Sequence, residues 1–107
     1  MNKENLIHVV DSGHKYQLKN VFSEETQTIQ FIKKTFDEKT GEQNSQTDGT
    51  TNEAVLQMMI NRMQVLNEKF PSEYNATAIT HLEAALSALY ARTEDREKRG
   101  VEGTHQA

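Results

Sequence analysis

Three observations predict an α+β fold, a short N-terminal antiparallel β element followed by a long antiparallel α-helical hairpin, assembled as an oligomer. β-Branched and aromatic residues gather in the front third, at Leu6 to Val10, His14 to Leu18 and Thr26 to Lys33, with strand-like alternation. Further on, Leu56, Met59, Met63, Leu66 and Phe70 recur at spacings of 3, 4, 3 and 4, and Ile79, Leu82, Leu86 and Leu89 at 3, 4 and 3. Those are the repeats of one helix face. Pro71, the chain's one proline, separates the two stripes.

Each element has its own local cause. Asp11-Ser12-Gly13 supplies turn chemistry between the first two strands, and Ser23-Glu24-Glu25 a second turn before the strand around Thr26 to Lys33. Two or three strands form a marginal sheet unless something covers one face. Thr35 to Gly49 is polar and reads as a loop. In Thr50-Thr51-Asn52-Glu53, Thr50 is expected to cap the first helix, with Glu53 reaching back as in a capping box. Pro71 lacks an N–H and restricts the residue before it, so the helix stops there and Ser72 can cap the next one. The second helix should run about 26 residues, roughly 40 Å, to a stop at Gly100. One domain over 1–107 follows, with a β element at 1–34, a polar loop at 35–49, and the hairpin and its tail at 50–107. The longer helix overhangs its neighbour, and an overhanging end needs a partner.

The bulk numbers agree. With 107 residues, 35% hydrophobic residues, no Trp and a mean hydropathy of −0.80, the chain can barely close a monomeric core. A second copy is the simplest supplement, as a dimer or a higher oligomer. A net charge of −4 argues against general binding of nucleic-acid polymers. The absence of cysteine excludes disulfides, thiolate nucleophiles and Cys-based metal sites. No apolar run approaches membrane-spanning length, and Met1-Asn2-Lys3-Glu4-Asn5 opens no signal peptide, so a cytoplasmic protein is expected.

One charge pattern stands out. Arg92, Arg96 and Arg99 fall within about 60° of one another on a helix, on the azimuth that runs back through Leu89, Ala85, Leu82 and Ala78. A helix burying that stripe would carry guanidiniums to the end of the same contact surface, and guanidinium is well shaped to grip phosphate. The competing reading is that Glu94, Asp95 and Glu97 neutralise these arginines in exposed pairs worth little.

The stretches Asp48 to Glu53, Asn61 to Asn67 with Lys69-Phe70-Pro71, Ala78 to Leu86, and Arg92 to His105 resemble the Thoeris anti-defence family of phage proteins. That family shares a helical-hairpin domain with the anti-CBASS sponge proteins. The resemblance covers Asp48 to the C-terminus, and in the front third only a similar order of short strands. It implies a non-enzymatic oligomer without a cofactor, acting in the cytoplasm of the infected bacterial host. Its ligand would be an immune signal, glycocyclic ADP-ribose made by a TIR-domain enzyme, held intact between protomers. Carried over to this chain, the grip falls on Arg92 and Arg96, with Asn75 donating hydrogen bonds. Asp95 would orient an arginine or accept from a ribose hydroxyl, Arg99 would support them, and Phe70 or Tyr74 would stack on the base. Stacking must come from such a residue because Val65 stands where relatives often carry an aromatic.

Simpler readings stand beside these. Phe70 next to Pro71 suits a plug closing the hairpin, Asn75 an ordinary first-turn residue, and Met58, Met59 and Met63 core filler. Thr104 and His105 follow Gly103 in a tail that could fold over a neighbour's pocket or simply be loose. The four histidines show no metal-ligand spacing, and Asp48-Gly49-Thr50-Thr51 is not a phosphate-binding P-loop. Three alternatives remain: a sponge for cyclic di- or trinucleotides, a signal-cleaving enzyme, and a purely protein-binding helical module without nucleotide affinity.

Overall fold

The computed structural model describes residues 5–100. β1 (Ile7–Asp11), β2 (Lys15–Lys19) and β3 (Thr26–Gln30) form an antiparallel sheet in the order β1-β2-β3. Val9 faces Tyr16, which in turn faces Ile29. The β1–β2 turn closes with the His14 N–H donating to the Asp11 carbonyl at 2.9 Å, and Gly13 takes a φ of 80° there, a region other residues rarely enter.

Residues 35–49, expected as a loop, hold most of a second sheet. β4 (Lys33–Phe36) pairs antiparallel with β5 (Gln43–Thr47). The connecting turn is built by Asp37, whose carboxylate accepts from the N–H groups of Lys39 and Thr40 at 2.8 and 2.9 Å. These bonds hold its carboxyl below the usual carboxylate range, the Thr40 bond contributing most. The ribbon carries no alternating apolar face, since β5 reads Gln-Asn-Ser-Gln-Thr. Periodicity therefore could not reveal it.

After β3 the chain meets the segment that leads into the helices. Phe31 and Thr50 form a parallel bridge, with Thr50 N–H donating to Gln30 O at 2.8 Å and Ile32 N–H donating to Thr50 O at 3.0 Å. Thr50 is spent on this bridge, so the cap of α1 (Asn52–Lys69) is Thr51 instead, its hydroxyl accepting from Ala54 N–H at 3.1 Å. Thr51→Ala should cost about 1 kcal/mol. A melting-temperature shift of a few degrees would register it, whereas Thr50→Ala should leave that cap intact.

α1 ends at Lys69, with Phe70 as its C-cap ahead of Pro71, and Ser72 caps α2 (Glu73–Lys98) by accepting from Tyr74 and Asn75 N–H groups. α2 is the longer by eight residues. It stops at Gly100, which takes a φ of 69° as a C-terminal glycine should. The two helices pack antiparallel, and Gln57 Nε2 donates to Tyr90 Oη at 2.5 Å across them.

No helix is laid across either sheet. Among the described residues no apolar side chain is buried; Arg96, at 7% exposure, is the one buried residue. The radius of gyration is 17.2 Å, against about 13 Å for a compact domain of this length. A single chain thus leaves both helix faces and the sheet largely open. No helix among the described residues is long and apolar enough to cross a membrane.

Candidate functional site

The junction of sheet and hairpin encloses a cleft of about 580 Å³. Gly13, Tyr16, Phe31 and Ile32 line it from the β side, Thr50 to Glu53 from the start of α1, and Arg92 and Thr93 from α2. Each wall has a definite support. Phe31 N–H donates to His14 O at 2.7 Å, which pins the aromatic to the β1–β2 turn. Tyr16 and Phe31 meet edge to face, centroids 6.0 Å apart and planes at 82°. The Tyr16 hydroxyl accepts from Gly13 N–H at 2.7 Å. Its own proton is then left to donate elsewhere.

Behind this wall, Asp11 accepts from Lys33 Nζ and pairs with His14 Nδ1, both at 3.0 Å. The Lys33 ammonium, and next the His14 contact, hold the Asp11 carboxyl below the usual carboxylate range. His14 Nε2 is buried and has no hydrogen-bond partner among the described residues.

The electrostatics of the cleft favour an anion. The N-terminus of α1 lines the cleft through Thr51, Asn52 and Glu53, and a helix N-terminus carries a partial positive charge. Arg92 of α2 adds a full positive charge. Glu53 on the same rim offsets part of this. The combination of cation, helix terminus and aromatic pair suits a ligand bearing both phosphate and a planar ring.

The residues singled out from the sequence are distributed over the molecule. Arg92 lines the cleft, while Arg96, one turn on, is buried. Asp95 orients an arginine, but that arginine is Arg99, whose Nε donates to Asp95 Oδ2 at 3.0 Å. Phe70 and Asn75 sit at the other end of the hairpin. Seventeen residues of α2 separate Asn75 from Arg92, about 26 Å at the helical rise. One protomer therefore does not bring them together. At that far end the Asn75 amide donates to Phe70 O at 3.1 Å, and Phe70 is 71% exposed, so it does not plug a core. Thr104 and His105 lie outside the described residues. Tyr16, Phe31 and the Thr50–Glu53 wall escaped the sequence reading. Tyr16 and Phe31 gave only a strand signal, and nothing local announces that a β residue will face a helix end.

A second groove of about 310 Å³ runs between the helices, where Gln57, Asn61 and Gln64 of α1 face Glu83, Ser87 and Tyr90 of α2.

Comparison with known proteins fits this architecture. Residues 28–94 match the family model described as Acb2/Tad1, hairpin domain, a span running from β3 through Arg92. The chain is also 50% identical over 60 residues to Thoeris anti-defense 1 of Bacillus phage SBSphiJ7, an alignment covering 55% of this chain and 42% of that protein. It thus spans less than half the length of that relative. With well over half its length, including all of α1 and most of α2, falling under one family model, the chain belongs to the Acb2/Tad1 hairpin-domain family.

Proposed function

We propose that this protein is a phage anti-defence sponge, which binds glycocyclic ADP-ribose without cleaving it and so withholds the signal from Thoeris immunity in the cytoplasm of an infected bacterium. The observation that carries this reading is the convergence of Arg92, the α1 N-terminus and the Tyr16–Phe31 pair on one cleft. A pyrophosphate would take Arg92 and the helix N–H groups, each charge-assisted bond contributing about 1.5–3 kcal/mol. An adenine against an aromatic adds about 1–3 kcal/mol. Nanomolar retention requires about −12 kcal/mol, which an open cleft on one protomer does not reach.

The remainder comes from a second protomer. Its hairpin, packed antiparallel, would carry its turn to the open end of the first, placing Phe70 and Asn75 of one copy near Arg92 of the other. Phe70 is exposed at that turn, as a stacking residue must be. Arg96 supports the arginine end from within, and the Asp95–Arg99 pair fixes its edge. A second reading, a sponge for cyclic di- or trinucleotides, is favoured by the carboxamides of Gln57, Asn61 and Gln64 along the interhelical groove, since amides can read base edges.

The proposal is tested by withdrawal and return of the signal. Protein added to glycocyclic ADP-ribose should leave nothing in solution able to activate the Thoeris effector. Heat denaturation should then restore full activation. Activation unaffected by the protein would refute sequestration, and activation lost for good would assign cleavage instead.

A further inference from the structure

The covalent route from sheet to hairpin passes through Asp48-Gly49-Thr50, and at Gly49 it packs directly against backbone, whereas a Cβ at Gly13 or Gly100 would meet open space. A Cβ placed on Gly49 would lie 2.6 Å from both Gln30 O and Phe31 O, and closer still to the Phe31 carbonyl carbon. All three atoms are backbone, so none can swing aside as a side-chain tip could. On either side the crossing is tied down: Gln30 Nε2 donates to Asp48 O at 2.8 Å, Gly49 N–H to Asp48 Oδ1 at 2.9 Å, Thr50 N–H to Gln30 O at 2.8 Å and Ile32 N–H to Thr50 O at 3.0 Å. No helix packs on a sheet, so this crossing is what holds the two halves in register.

Phe31 and Ile32 line the β wall of the cleft, and Thr50 and Thr51 begin its helical wall. We infer that Gly49 is a positioning residue for ligand binding: by letting residues 30–31 and 48–50 touch, it sets the distance between the aromatic wall and the Arg92 wall. It touches no ligand itself. This inference rests on the sponge reading for its ligand, although its structural half stands alone. A methyl group at Gly49 must push the strands apart, because contacts near 2.6 Å lie far inside van der Waals separation. The hydrogen bonds at Thr50 and Ile32 then lengthen and the walls separate.

The test is Gly49→Ala in the full chain, with Gly41→Ala as control. Gly41 has a φ of 75° in the β4–β5 turn, so its alanine variant is strained at a glycine that is absent from the cleft lining. Gly49→Ala should speed hydrogen exchange at the Ile32 and Thr50 amides at least ten-fold while α1 and α2 amides stay protected, and Gly41→Ala should not. Gly49→Ala should also weaken glycocyclic ADP-ribose binding at least ten-fold, yet leave inorganic pyrophosphate, which needs only the helical wall, within two-fold of wild type. Unchanged exchange at Ile32 and Thr50 would overturn the inference, as would equal loss for both probes with a lowered melting temperature. Wild-type protein that ignores glycocyclic ADP-ribose would sink the sponge reading, and the exchange result would still decide the role of Gly49.

Discussion

Arg92→Ala should lower affinity for glycocyclic ADP-ribose by about 10- to 100-fold and leave the melting temperature within a degree of wild type. Arg92 is exposed, on the wall of the cleft and in the last third of α2, so its removal opens no cavity. What it removes is one or two charge-assisted bonds to a phosphate, at about 1.5–3 kcal/mol each. Arg92→Lys should recover only part of the loss, because an ammonium cannot make the paired, planar contact of a guanidinium. Arg96 separates from it. Being buried, Arg96 should cost stability as well as affinity when truncated, and its alanine variant should melt lower. Calorimetry and thermal melts on the two variants distinguish the roles. Equal affinity in Arg92→Ala and wild type would remove Arg92 from the site.

The melting temperature should also rise with protein concentration, by about 3 °C for each ten-fold increase if the unit is a dimer. The reason is that the described residues of one copy bury no apolar side chain. Among them every large apolar side chain remains at least partly accessible, with Leu6, Val21, Phe22 and Phe70 more than half exposed. Apolar burial is the main favourable contribution to folding, so the rise is expected if a second copy covers what one copy leaves open. A concentration-independent melt, with sedimentation at monomer mass, would contradict this.

Much of the fold is legible in the sequence because helices and caps obey local rules. The 3,4 repeats give both helices, Pro71 and Ser72 the turn, and Gly100 the end of α2. The β4–β5 ribbon stayed hidden because neither face is apolar; strand pairing and the Asp37 turn organise it, and periodicity reveals neither. The cap moved from Thr50 to Thr51 for a non-local reason: Thr50 is paired with Gln30 and Ile32, 18 to 20 residues away in sequence.

The candidate cleft was legible only in part. The azimuth of Arg92 on α2 singled it out, and it lines the cleft. Tyr16 and Phe31 could not be found this way, because their approach to Arg92 depends on the crossing at Gly49, and no periodicity encodes a crossing. Asn75 near the start of α2 and the arginines near its end were both legible, because rise along one helix fixes their separation. Bringing them to one ligand is what the proposed second protomer would do.

The most direct test of the central claim is calorimetric titration of the assembled protein with glycocyclic ADP-ribose, followed by denaturation and chromatography of what is released. Nanomolar binding, with the ligand recovered unchanged, is the expected result. A flat titration, or a released product of different mass, would contradict it.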